Sequence, residues 1–337
     1  MRAAIVTRAG VVEVGEWLDP TPGRGEVLVQ LDAAALNRRD RYLRLDDTGE
    51  TPHPSVLGSD GAGRVVEVGG GVTSPAVADE VLLFPGVRWT PGVPGPEYRI
   101  DGDPWCVLGV PHQGTHAELI VAAADLVRPK PAGWSWEEAA ALPLAGLTAW
   151  RALVTRGRLR AGSAVLITGA GSGVSTFLIQ IAAALGARVL VTTSSEAKLA
   201  RARDLGAEDG ADYRDPGWPK RIRELAPDGV DLVVDSAGAP VWPGAIKVLR
   251  YGGTLVSLGR TAGRDVQINI SEVFGEQLNI HGTYMGGPDE FDALRHHIGR
   301  SSWRPVIDST FALDEASAAH RRLDEPDRFG KVLLLPR

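Results

Sequence analysis

The run from Ala164 to Thr193, AVLITGAGSGVSTFLIQIAAALGARVLVTT, constrains the fold more than any other stretch of the chain. It opens on an uninterrupted apolar segment, passes through a turn of small residues, continues with helix-forming residues and closes on a second apolar segment. Strands covered on both faces read as continuous apolar runs, so the pattern predicts two buried parallel strands joined by a helix. The turn Gly169-Ala170-Gly171-Ser172-Gly173 lets the backbone approach an anion, and the free N–H groups at the helix start attract its charge. Strand, glycine turn and helix in that order predict a pyrophosphate site, with Gly171, Ser172, Gly173 and Val174 as its lining. The sixth position of the usual fingerprint is Val174 instead of glycine, so the placement between strand and helix carries the assignment.

The flanking sequence extends the same alternation. Strands are predicted over 163–169, 188–193, 231–238, 252–259 and 278–284, with helices over 174–185, 196–206 and near 241–250. Ser135, with Glu138 three residues on, forms a capping-box signature that opens this region. The first ~130 residues differ, with short Val/Leu runs such as EVLVQLDAA (26–34) and DEVLLFPG (79–86) between glycine turns, which predicts an antiparallel sheet or barrel. The proline-rich stretch 85–111 reads as an excursion loop. A chain of 337 residues suits two cores, and the expected division is 1–129 plus 285–337 for a mainly β domain and 130–284 for a doubly wound parallel α/β domain.

Two bulk properties narrow the partners. A net charge of −6 argues against a nucleic-acid partner, and no segment approaches the roughly 20 apolar residues that span a bilayer, so a cytoplasmic location is expected. One cysteine, Cys106, excludes an intramolecular disulfide and any multi-cysteine metal site.

The end of the second strand decides between dinucleotides. NAD sites place a carboxylate there to accept from the ribose 2′-hydroxyl, whereas this chain has Thr192, Thr193, Ser194 and Ser195, with Lys198 one turn into the next helix. Hydroxyls and an ammonium suit a 2′-phosphate, so NADPH is the expected cofactor, bound by Thr193, Ser194 and Lys198. Tyr213, in ADYRD, is placed to cover the adenine or reach the phosphate.

Several separated segments resemble the medium-chain dehydrogenase/reductase superfamily, in particular its zinc-independent quinone oxidoreductase branch. They are AALNRRDRYLR (34–44), VLGSDGAGRVVEVGGGV (56–72), AALPLAGLTAW (140–150), the glycine turn, VDLVVDSAG (230–238) and FGKVLLL (329–335). The resemblance implies a GroES-like, mainly β domain into which a Rossmann domain is inserted, a cleft between the two, and a homodimer formed through the edge strand near 278–284. Zinc-dependent members place ligands in three of these segments, where this chain has Asn37, Ser59-Asp60 after Gly58, and Leu144 after Pro143. An amide and a leucine are not useful zinc ligands, so no metal is expected. A cluster of Cys106, His112 and His116 has spacing that could be considered for zinc, but the proline and glycine within PHQGTHAEL argue against the helix it would need. Where that branch usually reads A-S-G-G-V-G, this chain has Ser172 and Ser175 in place of glycines, so helix and strand must pack differently there.

The resemblance places Asn37, Asp40 and Tyr42 around the nicotinamide and substrate. Asp40 has bracing of the loop as its plainer role, and Arg39 falls where it could bind an acidic substrate group. Thr148 in GLTAW, Gly259 and Lys331 are expected along the cofactor. Hydride transfer leaves negative charge on the acceptor's oxygen, and without a Lewis acid that charge is best tolerated when it spreads over a quinone or enone. The expected donors to it are Asn37, Tyr42 and Tyr284. The reading is thus an NADPH-dependent reductase of a small quinone or α,β-unsaturated carbonyl. Its rivals are an alcohol or carbonyl dehydrogenase of the same superfamily and a protein that binds NADPH without turnover.

Overall fold

Alternation of apolar strands with helices has one consequence visible at once: the glycine-turn region builds its own core. A computed structural model describes residues 1–46, 49, 51–87, 99, 100, 103, 104 and 106–337, which form two compact units. The first comprises Met1–Leu144 and Gly287–Arg337, the second Ala145–Gly286. Much of the predicted excursion loop 85–111 lies outside the described residues.

In the second unit six parallel strands stand in the spatial order Asp209–Asp212, Arg188–Thr193, Ala164–Ile167, Val230–Asp235, Leu249–Ser257, Asn279–Gly282. By position in the chain this is the order 3-2-1-4-5-6 of a doubly wound nucleotide-binding sheet. Leu166 pairs in register with Leu190 on one side and Val233 on the other, and all three are fully buried. Each such side chain contributes about 1.5–3 kcal/mol by leaving water. The helices Gly173–Ala184, Glu196–Asp204 and Trp242–Val248 follow their predicted positions within two residues or so.

In the first unit the main sheet runs Val127–Pro129, Glu80–Leu83, Asp60–Val68, Glu26–Ala35, Lys331–Leu335, Ile307–Ala312, with Leu119–Ala123 also paired to Glu26–Ala35. All pairs are antiparallel except the last two strands of that order, which run parallel. Val27, Val29, Leu31, Val65, Val81 and Ile120 form its core. A smaller sheet joins Arg2–Arg8 to Val11–Glu16 and Ser55–Val56.

The units differ from the expected division at residues 130–144, which fall in the first, and at Met285 and Gly286, which fall in the second. The capping box is present, with Ser135 Oγ accepting from Glu138 N at 3.1 Å and Ser135 N donating to Glu138 Oε2 at 2.9 Å. The helix it starts, Trp136–Ala141, buries Ala139, Ala140 and Ala141 against the Glu26–Ala35 and Asp60–Val68 strands. Residues 130–144 therefore belong with the first unit, because a helix is claimed by the surface that covers its apolar face.

Candidate functional site

The glycine turn of the second unit is held from behind. Asp235, fully buried at the end of its strand, accepts from Thr168 Oγ1 at 2.7 Å, Ala237 N, Gly238 N and Trp242 Nε1, each at 3.0 Å. Thr192 fixes the turn from the other side, its Oγ1 accepting from Gly169 N at 3.2 Å and its carbonyl from Ala170 N at 2.9 Å. Gly169 has φ +68°, a left-handed conformation that glycine adopts without strain. Sequence reading passed over Thr168 and Asp235, although each ends an apolar strand beside a glycine-containing turn.

The two serines that replace glycines do definite work. Ser172 caps the helix Gly173–Ala184, its Oγ accepting from Ser175 N at 3.1 Å. Ser175, fully buried, donates to the Thr168 carbonyl at 3.2 Å and shares a 2.6 Å hydrogen bond with Ser172 Oγ. Helix and strand are thus linked by hydroxyls where a glycine would bring them into bare contact. With the Ser175 N–H taken by that cap, the Gly173 and Val174 N–H groups at the helix start are the ones placed for an anion.

At the end of the second strand Thr193 is buried, and its Oγ1 has no hydrogen-bond partner among the described residues. An orphaned buried hydroxyl at this point fits a dinucleotide, whose ribose or phosphate would satisfy it. Ser195 caps the helix Glu196–Asp204 by accepting from Lys198 N at 3.3 Å, which sets Lys198 in the first turn. Ser194 is half-buried between them. Tyr213 follows the Asp209–Asp212 strand and is largely exposed, its N–H donating to the Thr193 carbonyl. Thr148, in the Pro143–Trp150 helix, and Gly259 are half-buried. A Cβ on Gly259 would stand 2.5 Å from the Ser236 carbonyl oxygen, so that glycine is required by packing as well. Tyr284 lies two residues beyond the Asn279–Gly282 strand and is 74% exposed.

In the first unit the segments singled out from sequence meet around one carboxylate. Asp60 is fully buried and accepts from Asn37 Nδ2 at 2.9 Å, Leu144 N at 2.7 Å and Lys331 Nζ at 2.9 Å. Lys331 Nζ also donates to Asn37 Oδ1 at 2.7 Å. Burial pushes the Asp60 carboxyl up from its ordinary range, and the Lys331 ammonium, the Asn37 amide and the Leu144 N–H pull against it. Lys331, expected along the cofactor, is 2% exposed in this unit, with its ammonium on Asp60 and Asn37.

Asp40 and Arg39 brace backbone around this cluster. Asp40 accepts from Asn37 N at 2.7 Å and Gly58 N at 3.2 Å, which is the bracing role. Arg39 donates to the carbonyls of Leu108 (3.0 Å), Val110 (3.1 Å) and Val107 (3.4 Å), so its guanidinium pins a loop. Tyr42 lies half-buried on the Arg38–Leu45 helix with its hydroxyl oxygen shielded from solvent. His116 packs edge-on against His320, ring centroids 5.3 Å apart, and both are buried. Among the described residues no three His, Cys, Asp or Glu side chains converge as a metal site would need. The Asn37–Asp60–Leu144 set does not fit zinc: it offers one carboxylate, and that carboxylate already holds an ammonium that a dication would have to displace.

Models of two known domains match the chain: the alcohol dehydrogenase GroES-like domain over residues 23–132 and the zinc-binding dehydrogenase domain over residues 173–299. The chain belongs to the medium-chain dehydrogenase/reductase superfamily. It is 33% identical to "Zinc-type alcohol dehydrogenase-like protein YogA" of Leptosphaeria maculans over 94% of this chain and 92% of that one. It is 31% identical to a quinone oxidoreductase of Pseudomonas aeruginosa, covering 97% and 96% of the two chains. A solved structure described as an NAD-dependent alcohol dehydrogenase superposes with a TM-score of 0.93 at 39% identity, covering 99% of both chains. As a member of this superfamily the chain is an oxidoreductase that depends on a pyridine nucleotide.

Proposed function

We propose that this oxidoreductase is a cytoplasmic, NADPH-dependent reductase of small quinones or α,β-unsaturated carbonyls that works without zinc. The observation that carries the reading is the Lys331 ammonium lodged between Asp60 and Asn37, which lie in two of the three segments where zinc-dependent relatives keep their ligands. A buried ammonium and a dication repel each other strongly at such separations. NADPH, when bound, supplies the hydride. The chain's own residues then face one task, stabilising charge that develops on the acceptor's oxygen. A hydrogen-bond donor aimed at that oxygen is worth about 3–4 kcal/mol, enough for a delocalised enolate or hydroquinone anion and little for a localised alkoxide. Asn37 is the donor in the first unit, since its amide nitrogen carries a second N–H beyond the one given to Asp60. Tyr42 and Tyr284 are the other proposed donors.

The preference for NADPH rests on the absence of a carboxylate from positions 192–195 and on Lys198 in the first turn of the following helix. Thr193, Ser194 and Lys198 would hold the 2′-phosphate, with Tyr213 beside it. Homodimerisation through the Asn279–Gly282 edge strand is part of the same proposal. Among the described residues that strand pairs on one side only, and Tyr251, Ile270 and Phe274 are exposed in the same unit. Analytical ultracentrifugation with Phe274→Glu and Ile270→Glu tests it: the wild type should sediment as a dimer and the double variant as a monomer.

A second reading, an alcohol dehydrogenase that uses NAD, is favoured by the 39% identical solved structure and its description. Following pyridine-nucleotide absorbance over a panel of quinones, enones, aldehydes and alcohols separates the two. Oxidation of NADPH by quinones or enones supports the proposal. Zinc-dependent oxidation of alcohols by NAD sinks it.

A further inference from the structure

Asn37 has a carboxamide whose two ends are chemically opposite, and the structure fixes which end faces which neighbour. Lysine can only donate, so the atom 2.7 Å from Lys331 Nζ is the amide oxygen; the nitrogen therefore faces Asp60 at 2.9 Å. Lys331 itself is anchored on Asp60 at 2.9 Å, closing a three-membered ring of hydrogen bonds among the N-cap of the Arg38–Leu45 helix and the first residues of the Asp60–Val68 and Lys331–Leu335 strands. Leu144 N holds the second Asp60 oxygen, so the carboxylate cannot rotate away. An amide in such a ring has one orientation. Rotating it by half a turn would set its NH₂ against an ammonium and its oxygen against a carboxylate. Among the described residues one Nδ2–H remains uncommitted, and Asn37 is half-buried, whereas Asp60 and Lys331 are sealed in.

We infer that Lys331 is a positioning residue: anchored on Asp60, it locks the Asn37 amide with its oxygen inward, so that the remaining Nδ2–H is a fixed donor for the acceptor's oxygen. The ammonium also polarises the amide, because a carbonyl oxygen that accepts from a cation leaves its N–H groups better donors. The donor role of Asn37 rests on the reductase reading; the lock does not.

The chain holds three asparagines, Asn37, Asn269 and Asn279, which makes the lock directly observable. Selective ¹⁵N labelling of asparagine gives three side-chain NH₂ pairs, and the pair lost in Asn37→Ala is that of Asn37. The wild-type Asn37 pair should show one downfield proton that exchanges slowly with solvent and one that exchanges faster. Lys331→Met should merge their exchange rates and move the downfield proton by several tenths of a ppm. Because Lys331→Met leaves Asp60 without its cation, the compensated variant Asp60→Asn/Lys331→Met is measured beside it, and it too should lose the asymmetry. Unchanged Asn37 signals in a folded variant overturn the lock.

Steady-state kinetics with the best acceptor form the second arm. Lys331→Met and Asn37→Ala should each lower kcat by roughly tenfold or more, with NADPH affinity within about twofold of the wild type. Combining them should cost no more than the worse single change, because both remove the same oriented donor. Additive losses, or wild-type kcat in Lys331→Met, contradict the positioning role. Absence of turnover by the wild type overturns the reductase reading, and the amide spectrum still decides the lock.

Discussion

Lys331 Nζ lies 2.9 Å from Asp60 Oδ2 in the interior of the first unit, where both side chains are shut away from solvent. Breaking such a pair by removing one partner typically costs about 3–5 kcal/mol, because the survivor is a buried charge without a counterion. Lys331→Met should therefore lower the urea midpoint by an amount equivalent to that loss, and Asp60→Asn/Lys331→Met should recover more than half of it. Equal losses in the two variants would mean that the stabilisation comes from packing and not from charge.

The dinucleotide preference has its own variant. Lys198→Ala should weaken NADPH binding about tenfold, the scale of a hydrogen bond to a charged group, and leave NADH binding within twofold. Fluorescence titration with both nucleotides measures it. Equal affinities in the wild type, unmoved by the substitution, would remove the 2′-phosphate assignment.

Gly58 predicts a steric failure. Its φ is +99°, and a Cβ would stand 2.4 Å from His116 Cδ2 and 2.5 Å from Thr115 Oγ1, both on buried residues. Gly58→Ala should cost about 2–3 kcal/mol, combining backbone strain with overpacking, as read from thermal or urea unfolding. A neutral result would show that the loop carrying Thr115 and His116 yields easily.

The acid limb of stability should come from the buried imidazoles. Burial lowers the pKa of His116 below its ordinary 6.5, and burial together with the neighbouring His116 and Arg44 lowers that of His320 well below it. Asp40 pulls His116 the other way and Lys331 adds to the lowering. Both rings are thus neutral in the fold, while the unfolded chain takes up their protons as pH falls below about 6.5. Stability is full above that pH and declines beneath it, by at most about 1.4 kcal/mol per pH unit for each histidine. Urea midpoints between pH 7.5 and 5 should fall, and His320→Leu should flatten the slope. A slope unchanged by that substitution would locate the proton uptake elsewhere.

Much of this was legible in the residues. The Ala164–Thr193 run announced its strands, turn and helix because parallel buried strands and small-residue turns leave strong local signals, and Ser135 with Glu138 marked a helix start that the structure bears out. The helix Trp218–Leu225 was not predicted: it is only two turns long and opens on Pro219, although Trp218, Ile222 and Leu225 recur at helical spacing and pack on the core. The boundary shifted because residues 130–144 have the composition of the helical domain but are covered by the strands of the other. Asn37, Ser59-Asp60 and Leu144 stand in the segments where zinc-dependent members place ligands, and nothing local showed that Lys331, nearly three hundred residues from Asn37, turns inward to meet Asn37 and Asp60. Long-range pairing of polar side chains has no periodic signature. The roles of Ser172 and Ser175 likewise emerge only when helix and strand are seen hydroxyl to hydroxyl.

The most direct test of the central claim is NADPH oxidation with a quinone or enone by enzyme whose zinc content has been measured before and after exhaustive chelation. The account predicts turnover that survives chelation, with zinc far below one per chain at every stage. Near-stoichiometric zinc, with activity lost on its removal and restored on its return, would contradict it.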